Sequence, residues 1–274
     1  MKGVWNTFCN GRGMKTVLLF MLWSVFSNPE APAQNGNFRS ISNRAFKAGE
    51  VLNYRIHYGI IDAGIARLEV KPDLKTIGTR KAYHVVGIGE TRGAFDWFFK
   101  VRDRYESYID KDAMIPWIFI RRIDEGGYVK NQDVSFNHYN NTATSNKLTI
   151  PVPENVQDLI SAFYYARNLD FAHAKVGDVF PMTAYLDDEV FPMNIRYVGK
   201  EKIKTRFGTF NCVKFRPMLL QGRVFKEEED MTVWVTDDSN RIVVRAEAKI
   251  LVGSIKMDLD GFSGLANPLT SKEK

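Results

Sequence analysis

The chain has 274 residues, with 38 Lys and Arg against 32 Asp and Glu, for a net charge of +6. That surplus is too mild to indicate nucleic-acid binding, and hydrophobic and charged fractions of 45% and 26% are those of a globular protein. The length is enough to bury a sizeable core. Residues 1–33 read as a secretory signal peptide. Lys2, Arg12 and Lys15 make the start positive, and Val17 to Phe26 (VLLFMLWSVF) is an apolar run too short to span a bilayer. Ala31-Pro32-Ala33 supplies the small-x-small cleavage site, leaving Gln34 as the new N-terminus. Met14-Lys15 begins a compact signal of its own, so Met1 and Met14 are both eligible starts. Cys9 precedes the apolar run, which argues against a lipid-modified cysteine. Cleavage leaves 274 − 33 = 241 residues with a net charge of 35 − 31 = +4. It also leaves Cys212 as the single cysteine, hence no internal disulfide.

Residues 34–44 (QNGNFRSISNR) are polar and read as a flexible lead-in to one β-rich domain over residues 45–262. Leu52, Tyr54, Ile56 and Tyr58 alternate with polar residues, the period of a half-buried strand. Gly64, Ala66, Leu68 and Val70 repeat it, and their small members predict a close approach from above the sheet. Further strands are predicted at 83–88, 101–109, 117–123, 128–139 and 142–150, with turns at Asp124-Glu125-Gly126-Gly127 and Asn140-Asn141. Val156, Leu159, Ile160, Phe163 and Tyr164 then follow helical spacing. This predicts one main helix over 156–169, capped by Asn155, with Asp158 near the positive end of its dipole.

Strands resume at Val179. The identical words Val179-Phe180-Pro181-Met182 and Val190-Phe191-Pro192-Met193 flank Asp187-Asp188-Glu189 and read as the arms of one hairpin. Its prolines belong at an edge or a bulge. Cys212 falls in the strand-like run 210–215 and reads as a small buried side chain. After a strand at 231–235, Val244 to Val252 alternate, and the apolar phase slips by one to Ile255, Met257 and Leu259. Gly253-Ser254 is the expected bulge or sharp bend. Residues 263–274 read as a loose tail. Strands before and after a single helix exclude alternating βαβ units. The predicted fold is mostly β: a large curved antiparallel sheet forming a partly open barrel around one main α-helix.

The words Asp158-Leu159-Ile160-Ser161-Ala162-Phe163-Tyr164-Tyr165-Ala166-Arg167 and Val233-Trp234-Val235-Thr236-Asp237-Asp238 carry a family resemblance. So do Arg241, Ala248 and Val252-Gly253-Ser254, together with Tyr105-Glu106, Ile109, Pro116 and Glu125-Gly126-Gly127-Tyr128. In this order they resemble a bacterial exported family catalogued as domain of unknown function 3108, over roughly residues 46–260. The resemblance implies an exported protein of a Gram-negative bacterium, soluble in the periplasm after signal cleavage, and it implies no particular activity. The curled-sheet pattern also resembles, more weakly, the half-barrels of periplasmic lipoprotein carriers, which hold acyl chains between a curved sheet and helices.

No catalytic or metal constellation emerges. His57, His84, His138 and His173 have no partner at metal-ligand spacing, and the acidic clusters 187–189 and 227–230 lack the glycine of a calcium loop. There is no Walker loop, dinucleotide fingerprint or hydrolase elbow, and no cofactor is expected. The unusual stretch is Gly93 to Phe99, where Phe95, Trp97, Phe98 and Phe99 crowd a connection expected to be polar. These rings read either as a cap on the barrel end or as a lid over an apolar cavity.

The leading expectation is a binding protein that holds a lipid or other apolar small molecule between sheet and helix. Phe95, Trp97, Phe98, Phe99, Phe163 and Tyr164 would form the lining, with no covalent chemistry. A non-catalytic module in envelope or polysaccharide assembly, with envelope proteins as partners, is the alternative. An envelope-directed enzyme using carboxylates such as Asp103 and Glu106 ranks last. No nucleic-acid partner and no transmembrane segment in the mature chain are expected.

Overall fold

A computed structural model describes residues 36, 38–218, 231–249 and 253–273. The predicted signal peptide with Cys9 and the acidic run Glu227 to Asp230 lie outside these residues. Among the described residues, nine strands precede the main helix: β1 (Val51–Tyr58), β2 (Ile61–Val70), β3 (Lys75–Ile77), β4 (Arg80–Thr91), β5 (Arg102–Asp110), β6 (Pro116–Glu125), β7 (Tyr128–Asn137), β8 (Thr142–Ser145) and β9 (Thr149–Pro151). A short helix, α1 (Ala94–Phe98), joins β4 to β5, and α2 (Leu159–Ala166) is the main helix. Then come β10 (Val179–Phe180), β11 (Thr183–Leu186), β12 (Glu189–Pro192), β13 (Ile195–Thr205), β14 (Gly208–Pro217), β15 (Met231–Thr236), β16 (Val243–Lys249) and β17 (Ser254–Ser263).

One antiparallel sheet takes up all but two of these strands. Its order is β10-β13-β14-β15-β16-β17-β1-β2-β4-β5-β6-β7-β8-β9, with β3 paired to β4. The path ends on β9 and β10 without joining them, so the barrel is partly open, as expected. The link that makes one sheet of the two halves is β1 with β17, where Val51 lies opposite Ser263 and Tyr58 opposite Ile255. The remaining pair, β11 and β12, forms a separate hairpin. It is the hairpin read from the repeated words, and its outer continuations, β10 and β13, belong to the main sheet. Pro181 sits in the break between β10 and β11, and Pro192 ends β12, so neither withholds an N–H from a central ladder.

The rod around which the sheet bends is α2. Phe163 packs on two core clusters, one led by Leu52, Tyr54, Phe210 and Trp234, the other by Phe46, Val85, Ile109 and Tyr164. Leu159 and Ile160 pack on a third, around Phe119, Phe136 and Tyr185. The helix is shorter than its apolar spacing suggests, and its cap is Asp158 rather than Asn155. Asp158 accepts from the Ser161 backbone N–H at 2.7 Å, and its own N–H donates to Ser161 Oγ at 2.8 Å, a reciprocal capping box. Asn155 has φ +59°, and Gln157 is engaged elsewhere. Its N–H donates to Thr183 O and its carbonyl accepts from Tyr185 N–H, both at 2.8 Å. Pairing with β11 thus removes Val156 and Gln157 from the helix.

Three other expectations change. The run from Val244 to Leu259 is two antiparallel strands with Lys249 opposite Ser254, so the chain reverses there, and Gly253 has φ +77°. The lead-in is tied down: Arg39 donates to Ala113 O and Met114 O at 2.8 and 2.9 Å, and Ile41 N–H donates to Asp112 O at 2.7 Å. The C-terminal segment is not loose either. Asn211 N–H donates to Ser271 O at 2.9 Å, and Glu273 N–H to Thr209 O at 2.8 Å.

Candidate functional site

The alternation of β13 to β16 puts Ile195, Phe215, Val233, Val235 and Val243 on the face toward α2. Across from them, α2 presents Ala162 and Ala166, one turn apart and both small. The mismatch leaves an apolar cavity of about 250 Å³. Leu159, Phe163, Met193, Met231, Val233 and Val235 all line it, and each is only half-buried although it faces inward. Met182, Met193 and Met231 add unbranched thioether chains that adapt to the shape of an occupant.

Two arginines stand on this wall. Arg167, at the C-terminal end of α2, is fully buried and engages four of its five N–H groups. Glu50 receives two of its N–H groups at 2.6 and 2.8 Å, and the carbonyls of Asn240 and Ala45 receive two more, each at 3.0 Å. Burial alone would lower its pKa, but the Glu50 charge and hydrogen bonds hold it above the ordinary arginine value. Among the described residues, the hydroxyls of Tyr54 and Tyr164 are buried near the pair without a hydrogen-bond partner, and burial raises both phenol pKa values. Arg241 is only half-buried, and burial lowers its pKa.

Of the six residues expected to line a cavity, Phe163 does so. Its neighbour Tyr164 points away, into the core with Phe46 at 4.6 Å. Phe95, Trp97, Phe98 and Phe99 lie on or beside α1 and form no part of this wall. Trp97 and Phe98 are 91% and 82% exposed, and Phe99 lies over Gly126. The reversal before β2 adds the exposed Ile60 and Ile61, and that before β7 adds Tyr128 and Val129. Hydrogen bonds from Arg92 N–H to Ala63 O and from Gly126 N–H to Lys100 O join these three tips into one apolar end of the sheet.

The carboxylates of the enzymatic alternative do not converge. Asp103 and Glu106 are three residues apart on β5 and so face opposite sides. Asp103 shares a hydrogen bond with Glu125 and, chiefly through burial, is pushed up to about 6. Glu106 instead accepts from Arg104 at 2.8 Å and bonds His84 at 2.6 Å. His57 bonds Asp258 at 3.2 Å, and His138 bonds Pro116 O at 2.6 Å. Among the described residues, no group of three His, Cys, Asp or Glu could hold a metal ion. Cys212 is buried, and burial pushes its thiol up to about 12, which suppresses the reactive thiolate.

The family model described as protein of unknown function (DUF3108) matches residues 53–260. No curated protein matches the chain. Among solved structures, a β-barrel-like protein of domain of unknown function DUF1849 from Brucella abortus aligns over 81% of this chain and 99% of its own. Its TM-score is 0.52 and its identity 10%, so the likeness is one of fold. A protein described as a lipoprotein from Parabacteroides distasonis aligns over 82% and 99%, with a TM-score of 0.37 and 15% identity. Among the described residues, no helix is long and apolar enough to cross a membrane.

Proposed function

Since the chain belongs to the DUF3108 family, we propose that it is an exported periplasmic protein that holds a lipid or other apolar molecule between α2 and strands β13 to β16. The observation that carries this reading is the cavity of about 250 Å³, whose walls are aliphatic and aromatic apart from two arginines. An apolar ligand entering it would gain about 0.8 kcal/mol for each methylene removed from water. Export is supported by the charged start, apolar run and cleavage site of residues 1–33. No covalent step is required.

The test is fluorescence of the neutral probe N-phenyl-1-naphthylamine with wild type and with Ala166→Phe, which fills the space from the helix side. Wild type is expected to enhance the emission saturably, and Ala166→Phe to weaken binding at least tenfold while retaining the wild-type circular dichroism. Equal enhancement by both proteins would place the probe elsewhere and end the reading.

A second reading, an interaction module in envelope or polysaccharide assembly, is favoured by the exposed end carrying Ile60, Trp97, Phe98 and Tyr128. Under it, Trp97→Ser with Phe98→Ser would abolish crosslinking to envelope proteins and leave probe binding intact. Unchanged crosslinking would remove that reading.

A further inference from the structure

Arg241 stands where the apolar cavity meets a second, more polar cavity of about 430 Å³. Phe171, Val235 and Arg241 line both. Its guanidinium lies over the Phe171 ring, with Cζ 5.1 Å from the centroid. One nitrogen, Nη1, donates to the carbonyls of Leu169 and Arg167 just past the end of α2. Among the described residues, Nε and Nη2 have no hydrogen-bond partner, and no carboxylate forms an ion pair with Arg241. Arg167 on the same wall is, by contrast, ion-paired to Glu50 at 2.6 Å.

The nearby carboxylates are engaged elsewhere. Asp237 takes the Lys200 ammonium at 2.7 Å. Asp238 accepts from Thr236 Oγ1 at 2.9 Å, Asn240 N–H at 3.0 Å and Ser271 N–H at 3.2 Å. Asp170 and Asp237 act on Arg241 only at a distance.

The backbone adds an independent observation. Arg241 has φ +47°, a left-handed conformation that a long side chain adopts only when its surroundings impose it. The constraint comes from Asn240, fully buried, whose amide donates to Asn267 O at 3.0 Å and Pro268 O at 3.2 Å and accepts from Asn267 N–H at 2.9 Å. A pinned turn therefore presents a cation at the mouth of an apolar space.

We propose that the two cavities form one site for a single-chain amphiphile, with its alkyl chain between α2 and the sheet and its carboxylate or phosphate head on the Arg241 guanidinium. This rests on the apolar-ligand reading and adds the ligand's charge and polarity. The planar guanidinium fork matches both heads in two-pronged geometry. An engineered apolar cavity of about 150 Å³ accommodates benzene, so by simple scaling about 250 Å³ accommodates about ten chain carbons.

The experiment displaces N-phenyl-1-naphthylamine with decanoate, decyl phosphate, decan-1-ol and decyltrimethylammonium, using wild type, Arg241→Met and Arg241→Lys. Wild type is expected to bind both anions at least tenfold more tightly than the alcohol, and the cation most weakly. Arg241→Met should bring decanoate to the affinity of decan-1-ol and leave the alcohol unchanged. Arg241→Lys should retain part of the preference. Equal affinity of wild type for decanoate and decan-1-ol would overturn the head-group assignment while leaving the apolar reading standing. So would a preference that survives in Arg241→Met. If Arg241→Met fails to fold, the wild-type series and Arg241→Lys decide the matter. Failure of all four compounds to displace the probe would end both readings.

Discussion

Glu50 and Arg167 are both fully buried, and among the described residues their charges are paired with each other across 117 residues of chain. Removing one partner leaves the other as an uncompensated charge in the core, which costs about 3–5 kcal/mol. Arg167→Met should therefore lower the urea-unfolding free energy by about that amount, and a loss below about 1 kcal/mol would show that water reaches the site. Asp158 makes a different prediction. Burial, against hydrogen bonds from Ser107, Ser161 and Ile160, lifts its carboxyl from 3.8 to about 6. Between those values the folded protein holds a proton that the unfolded chain releases, so this group's contribution to stability falls as pH rises through the window. About two pKa units at 1.36 kcal/mol each correspond to about 3 kcal/mol. Asparagine keeps a capping oxygen and cannot ionise. The stability of Asp158→Asn relative to wild type should therefore rise by about 2 kcal/mol from pH 4 to pH 7 in urea titrations, since part of the change already lies below pH 4. A difference independent of pH would show that Asp158 is not desolvated in the folded state. Neither role could be read from the sequence, because each depends on surroundings outside the local pattern: Glu50 for Arg167, and complete burial for Asp158.

At the scale of elements, the small residues of β2 were expected to admit an approach from above the sheet, but the glycine that meets α2 is on β4, and the crowding at β2 comes from a neighbouring strand. A Cβ on Gly87 of β4 would stand 3.3 Å from Ile160 Cδ1 of α2 and 3.1 Å from Leu68 Cδ2, both ends of side chains that can give way. A Cβ on Gly64 of β2 would stand 2.4 Å from the Glu90 carbonyl oxygen, which belongs to the neighbouring strand's backbone. The register explains that crowding: Ile56 pairs with Gly64 and His57 with Asp62, so Ala63 is bulged out and Gly64 is driven against β4. Gly87→Ala should cost at most about 1 kcal/mol, whereas Gly64→Ala should fall in the overpacking range of about 1–3 kcal/mol. Urea midpoints of the two variants should keep that order, and the reverse order would mean that the bulge relaxes more easily than the helix contact. The period of β2 was legible in the sequence, but the bulge was not, since alternation does not reveal which residue of a strand is left unpaired.

For the whole molecule, hydrophobic alternation on either side of one helical stretch was enough to infer an open antiparallel sheet around a rod. Strand order was not legible, because the pairing of β1 with β17 joins the two ends of the domain and leaves no local mark. Nor did the pattern decide which strands would face α2 across a gap. The lining depends on Ala162 and Ala166 meeting β13 to β16, whereas the aromatic cluster at Phe95 to Phe99 drew attention to an end of the sheet that turns outward. Composition was least informative at the C-terminus, where a polar segment read as loose is held by specific hydrogen bonds. Leu265 and Leu269 pack on the core cluster around Trp234, and Asn267 and Pro268 satisfy the amide of the fully buried Asn240. Ending the chain at Ser263 would strand that amide's donor and acceptor, at about 1–3 kcal/mol each. It would also remove Leu265 and Leu269 and uncover the part of the core cluster they pack against. Against a total stability of about 5–15 kcal/mol, a loss of about 4 kcal/mol or more should shift the urea midpoint clearly. Because the same segment pins the turn that carries Arg241, the truncated protein should also bind decanoate no better than decan-1-ol under conditions where it remains folded. A truncated protein that unfolds at the full-length midpoint and still prefers decanoate would show that β15 and β16 hold Arg241 in place without the C-terminal segment.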